Sequence, residues 1–294
     1  MTTRDDLAPT FEHVRIRGLP LWVIGILVPV AVAARVAGVG PRGAGAELTL
    51  AYGLYAATMA WVLWQCRRAG IGVRQLVGPV PRHWPVWRLP GLTLALVLFS
   101  LGAFWLLWLP LSFVAPDLVR AWALEPDPLA PVRDGGARGA LAVAMIVFVG
   151  PAVEELVFRG VVLRRWAHKW GAGRALVASA VVFGLLHSDV LGAVAFGLVM
   201  GMLYVRTGSL WVPVACHVLT NALAVATELV PWMAGPYTLA RFQREWYVGA
   251  VALAAALPAL WLLRRQYLPG AGWRLPSLDV EGPEARREGA ISAA

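Results

Sequence analysis

Residues 139–163 read Gly-Ala-Leu-Ala-Val-Ala-Met-Ile-Val-Phe-Val-Gly-Pro-Ala-Val-Glu-Glu-Leu-Val-Phe-Arg-Gly-Val-Val-Leu, and their ionisable groups are Glu154, Glu155 and Arg159. As a helix, such a run rises about 37 Å and crosses a hydrocarbon core of ~30 Å. The apolar residues follow one another without two-residue alternation, so the run reads as a helix and not as a barrel strand. Two carboxylates and a guanidinium therefore lie inside a membrane span. Ionisable groups there are costly, face the bundle interior, and mark function by default.

Outward from this run the same pattern repeats. Apolar stretches lie at about 19–38, 47–65, 90–114, 174–187, 190–205, 209–229 and 246–263. Together these make about eight transmembrane helices, so the predicted fold is an all-α, polytopic integral membrane bundle. Composition agrees: 59% of residues are hydrophobic and 15% charged, where a soluble domain carries about a quarter charged. The 15 Trp also suit a chain with two membrane interfaces. A net charge of +9 could suggest nucleic acid. The arginines, however, sit in short connections and form no basic stripe on a soluble domain, so no nucleic-acid partner is expected. Cys66 and Cys216 give neither a metal-type spacing nor a disulfide framework.

The connections sort by charge. Arg67, Arg68, Arg74, Arg82 and Arg88 fall in 66–89; Arg164, Arg165, Lys169 and Arg174 in 164–174; Arg206 ends the sixth run, and Arg264 with Arg265 the eighth. All share one side if both termini are cytoplasmic. This predicts a multi-pass protein of the cell (plasma) membrane. Its parts are a cytoplasmic segment 1–18, a membrane domain 19–265, and a polar, disordered cytoplasmic tail 266–294. The first run is expected to remain uncleaved, because Asp5, Asp6 and Glu12 precede it. The segment 66–89 is expected to lie along the cytoplasmic interface.

Polar residues inside the runs form a small set. Besides Glu154, Glu155 and Arg159 there are Phe183…His187-Ser-Asp189 in the fifth run and His217…Asn221 in the seventh. Adjacent helical residues point about 100° apart, so the two glutamates are not expected to address one spot. Glu155 and Arg159, four apart, can neutralise each other. Glu154 is left without a local partner, as suits a general base. The bland reading makes all three one ionic lock. His217 and Asn221 share a face and can aim donors at one point, or can act as glue between helices. Phe183 reads as packing for the His187 ring, Asp189 as a helix cap, and Cys216 as core. His13, His83 and His168 read as solvated. Ala193, Gly197 and Gly201 form a close-packing face.

Counting 1.5 Å per residue from the basic side puts Glu154, His187 and His217 at ~15, ~20 and ~12 Å depth. Three separate runs thus bring polar groups to one level. The turn at Ser188-Asp189 would also lie within the membrane, which requires protein or water around its backbone.

Glu154-Glu155…Arg159, Phe183…His187 and His217…Asn221, in this order, with Thr207-Gly-Ser-Leu-Trp211 before the last, resemble the CAAX prenyl endopeptidase and bacteriocin-processing (CPBP) family of intramembrane proteases. The likeness covers about 139–225. It implies an eight-helix fold with a cavity open to the cytosol, in which Glu154 and His187 activate water. It further implies that His217 and Asn221 form the oxyanion site and that Glu155 with Arg159 hold the helix bearing Glu154. The implied activity is an intramembrane endopeptidase, of glutamate or metallo type, acting near the C-terminus of a membrane-associated or prenylated substrate. Glu154, His187 and His217 could supply a zinc site with one open position. No His-Glu-x-x-His helix is present, and the metal-free reading is preferred. The alternatives are a non-proteolytic scaffold or regulator using the same polar cluster, and a small transporter.

Overall fold

A computed structural model describes residues 11–36, 46–81, 85–125, 127, 129–227 and 238–267. Expectations for residues 1–10, for His83 and for the tail from 268 onward lie outside these residues. The eight apolar runs become eight long helices: α1 (Leu19–Val36), α2 (Ala46–Arg68), α3 (Leu89–Val114), α4 (Gly136–Trp170), α5 (Ala172–Leu185), α6 (Val190–Thr207), α7 (Trp211–Thr227) and α8 (Trp246–Tyr267). Among the described residues no strand occurs. Helices α3, α4 and α6 are long and apolar enough to cross a membrane, while α5, α7 and the Trp246–Trp261 part of α8 are shorter apolar helices. The protein is a polytopic helical membrane protein.

Small residues set the packing. A Cβ on Gly102 of α3 would lie 2.8 Å from the Gly249 carbonyl oxygen of α8, so these two helices approach to backbone contact. A Cβ on Gly197 of α6 would lie 3.0 Å from Ala180 Cα of α5, and one on Gly201 would lie 2.2 Å from Leu176. The predicted small-residue face therefore does pack. It seats α6 against α5.

The α5–α6 turn is exposed at Leu185, Leu186, His187 and Ser188, and hydrogen bonds from α3 tie it to the bundle. Trp108 Nε1 of α3 donates to the Ser188 carbonyl at 2.9 Å, and the Ser100 hydroxyl donates to Asp189. Asp189 also caps α6, accepting from Gly192 N at 3.1 Å. The connection after α2 folds back as a short helix, Val73–Val77, with Leu76 buried, and the Val77 carbonyl receives Leu210 N at 2.7 Å. Gly78 there has φ of +73°, and a Cβ on it would lie 2.2 Å from the Gly208 carbonyl oxygen. Only glycine fits that crossing.

Two expectations need correction. The fourth run does not end near Leu163: the helix continues to Trp170, where Gly171 (φ +83°) terminates it. Arg164 consequently is buried. It donates to the Tyr204 hydroxyl and lies 5.5 Å over the Phe11 ring, anchoring the N-terminal segment. Nor is α4 uniformly α-helical, since Met145–Val149 and Leu156–Leu163 are wound as π-helix on either side of the Glu-Glu pair. Such insertions re-aim side chains and frequently accompany functional sites.

Candidate active site

Glu155 is fully buried and Arg159 nearly so, and Arg159 Nη1 donates to Glu155 Oε1 at 3.0 Å. Arg159 Nη2 also reaches the Gly197 carbonyl of α6 at 3.2 Å, and its guanidinium lies 4.8 Å over the Phe183 ring. The i, i+4 pair expected from sequence is thus formed, and it ties α4 to α5 and α6.

Glu155 does more than pair with Arg159. Its Oε1 also receives His217 Nδ1 at 2.9 Å, while His217 Nε2 stands 3.8 Å from Glu154 Oε2. The two adjacent glutamates therefore do meet at one place, against the 100° argument. An imidazole carries nitrogens on opposite edges, and the ring of His217 bridges the gap between the two carboxylates. Phe196 packs edge-on against this ring at 4.8 Å and Phe183 at 6.2 Å. Glu154, with 21% of its side chain exposed against none for Glu155, is the carboxylate a solute can reach.

His187 lies at the rim, exposed, at the end of α5. Its Nδ1 contacts the Phe183 carbonyl at 2.7 Å. A carbonyl only accepts, so Nδ1 carries the hydrogen and Nε2 of the neutral ring is left as an acceptor. Phe183 lies against the His187 ring in a tilted contact at 4.4 Å and meets Phe158 edge-on at 5.1 Å. Phe183 is thus the wall shared by both histidines.

Asn221 donates through Nδ2 to the Ile146 carbonyl at 2.8 Å. The local sequence explains why that acceptor is open. In the π turn, Gly150 N–H goes to the Met145 carbonyl, and the next residue, Pro151, has no N–H. The Ile146 carbonyl is orphaned within α4, and Asn221 of α7 satisfies it.

Residues 136–223, from the first residue of α4 to just past Asn221, match the family model described as type II CAAX prenyl endopeptidase Rce1-like. This segment is similar to that family. The chain is also similar to a Bacillus subtilis (strain 168) protein named "Putative membrane peptidase YdiL", with 33% identity over 94 residues, 31% of this chain and 38% of that protein. The chain thus spans well under two thirds of that relative's length. No solved structure matches significantly.

One partner of the site lies outside the Rce1-like segment. The Tyr55 hydroxyl of α2 donates to Glu154 Oε1 in a short hydrogen bond. The hydroxyl packs beside Gly150, where a Cβ would sit at ordinary contact distance, 3.5 Å. Sequence reasoning missed Tyr55. Its signal was a tyrosine well inside an apolar run, where the aromatic belt does not call for one. Of the remaining polar residues, Cys216 is buried with Thr93 Oγ1 at 3.5 Å, whereas His13 and His168 are exposed.

Glu154, His187 and His217 are the set a zinc ion would need. Among the described residues, no group of three or more His, Cys, Asp or Glu side chains is placed to hold a metal ion. As arranged, these three side chains are not brought together to hold one zinc ion, although the hydrogen bonds at Nδ1 leave Nε2 of both histidines free, as in metal-binding histidines.

Proposed function

We propose that the protein is an intramembrane endopeptidase that hydrolyses a peptide bond near the C-terminus of a membrane-associated or prenylated substrate. The observation that carries this reading is the Tyr55–Glu154–His217–Glu155–Arg159 chain, which places one accessible carboxylate beside an imidazole held from behind by a buried one. The Rce1-like match supports the peptidase class and the prenylated C-terminus as substrate.

In the proposed reaction, a water lies between Glu154 and Nε2 of His187. Glu154 takes its proton as the oxygen attacks the scissile carbonyl carbon. The carbonyl oxygen becomes an oxyanion and is stabilised by donors in place before the reaction. His217 is assigned to this side of the reaction: Glu155 holds its Nδ1, and its Nε2 faces Glu154 and the reacting centre. The Asn221 amide has a second hydrogen beyond the one used at Ile146. The tetrahedral centre then collapses, the C–N bond breaks, and Glu154 returns its proton to the leaving amine. Tyr55 positions Glu154 throughout.

The basic connections support an orientation with both termini, and the approach to Glu154, on the cytosolic side of the plasma membrane. The test is incubation of the purified protein with prenylated and unprenylated forms of one peptide, with and without a chelator, reading products by mass. Release of a C-terminal fragment that survives chelation is expected. Absence of cleavage across a panel of lipidated and hydrophobic peptides would overturn the peptidase reading.

A further inference from the structure

The end of the bundle where α1 begins carries a groove of about 650 Å³ that the chemistry at Glu154 does not use. Its lining includes Arg15 of the N-terminal segment, Leu21 and Trp22 of α1, and Trp64 and Arg68 at the end of α2. Trp22 and Trp64 stack with centroids 5.8 Å apart, and the Arg68 guanidinium lies 4.8 Å over Trp64. The shape is held by hydrogen bonds: Gln65 Nε2 donates to the Arg15 carbonyl at 3.3 Å, and Trp22 Nε1 to the Ala57 carbonyl at 3.0 Å.

A second hollow of about 410 Å³ lies across Arg15, lined also by Arg17, Arg165 and Lys169. Among the described residues lining the two hollows there is no Asp or Glu. Cations therefore collect around Arg15 without local neutralisation from the walls. The lower edge of the groove is different. From Leu21, an apolar stripe of Ile24, Val28 and Val32 runs along one exposed face of α1. Leu21 to Val32 spans about 16 Å, close to one leaflet's half of the ~30 Å core.

Cationic Arg15 and Arg68 beside Trp22 and Trp64, next to a leaflet-length apolar stripe, match one kind of molecule along its whole length. We propose that this groove binds an anionic glycerophospholipid, with its headgroup phosphate at Arg15 and Arg68 and its acyl chains along Leu21–Val32. Free phosphate shares the headgroup chemistry but has no use for the stripe.

The experiment is native mass spectrometry of the full chain, delipidated in detergent, titrated in parallel with phosphatidylglycerol, phosphatidylcholine and inorganic phosphate. Selective retention of phosphatidylglycerol is expected. Arg68→Gln should weaken it about 5-fold, and Arg15→Gln with Arg68→Gln about 25-fold, from the usual contribution of a basic residue near an anionic membrane surface. Arg68→Lys should retain binding, and Arg120→Gln, which removes a cation paired with Asp117 elsewhere, should change nothing. Equal retention of phosphatidylcholine by the wild type overturns the proposal without recourse to any variant. So does an unchanged phosphatidylglycerol affinity in folded Arg68→Gln, or displacement of the lipid by millimolar phosphate, which would mark a site for the free anion.

Discussion

Replacing Arg159 by Met tests the ionic frame of the site. The guanidinium stands 3.0 Å from Glu155 Oε1, and neither side chain has appreciable contact with solvent. At that distance the gross attraction is about 5–6 kcal/mol for an effective dielectric near 20. Methionine fills much of the volume but strands the carboxylate. His217 Nδ1 would remain as its hydrogen-bond partner, and Glu155 Oε2 already has none among the described residues. The bonds from Arg159 to the Gly197 carbonyl and the Phe183 ring would go as well. Removing one member of a buried pair typically costs about 3–5 kcal/mol, because an uncompensated charge stays behind. The expected loss for Arg159→Met is in that range. Adding Glu155→Gln removes the stranded charge and should restore about 2–3 kcal/mol as a coupling energy. Unfolding in mixed micelles, followed by denaturing detergent titration or steric trapping, measures both. A loss below about 1 kcal/mol for Arg159→Met, or strict additivity in the double variant, would refute the argument that the pair is a charge-balanced unit.

Three further outcomes follow from other contacts. Tyr55→Phe keeps the ring but removes the donor to Glu154, and kcat should fall about 10- to 100-fold with little change in melting temperature. An unaffected rate would remove Tyr55 from the site. Asn221→Ala leaves the Ile146 carbonyl unsatisfied and should cost about 1–3 kcal/mol of stability, read by the same unfolding assay. Gly78→Ala forces a side chain into left-handed backbone and against the Gly208 carbonyl, and should sharply reduce the yield of folded protein in gel filtration.

The helical architecture was legible because hydropathy writes membrane spans directly into composition. Each of the eight apolar runs became a long helix, with ends shifted by a few residues. The spacing of Glu155 and Arg159 specified their contact, and small residues at four-residue spacing marked a packing face on α6, which the structure seats against α5. Depth arithmetic brought Glu154 and His217 to one level, and the structure brings them to 3.8 Å. Contacts between distant helices were less accessible. Nothing in the run around Tyr55 says that its hydroxyl faces Glu154, because that depends on how α2 rotates against α4. The bridging of both glutamates by His217 was hidden by treating the helix as ideal and the ring as a point. The open carbonyl of Ile146 needed a π turn ahead of Pro151, a local winding that hydrophobic periodicity does not reveal. Arg164 was placed in the connection 164–174, whereas its helix continues to Trp170 and Arg164 is buried.

The central claim is that Glu154 is the group that takes the proton from the attacking water. The most direct measurement is single-turnover cleavage of a quenched fluorescent lipidated peptide by purified wild type and Glu154→Gln, with the fold of each checked by melting. The account predicts wild-type cleavage and a loss of at least about 10³-fold in the variant at near-normal stability, as befits removal of a group that acts in the transition state. Cleavage by folded Glu154→Gln at the wild-type rate would contradict it.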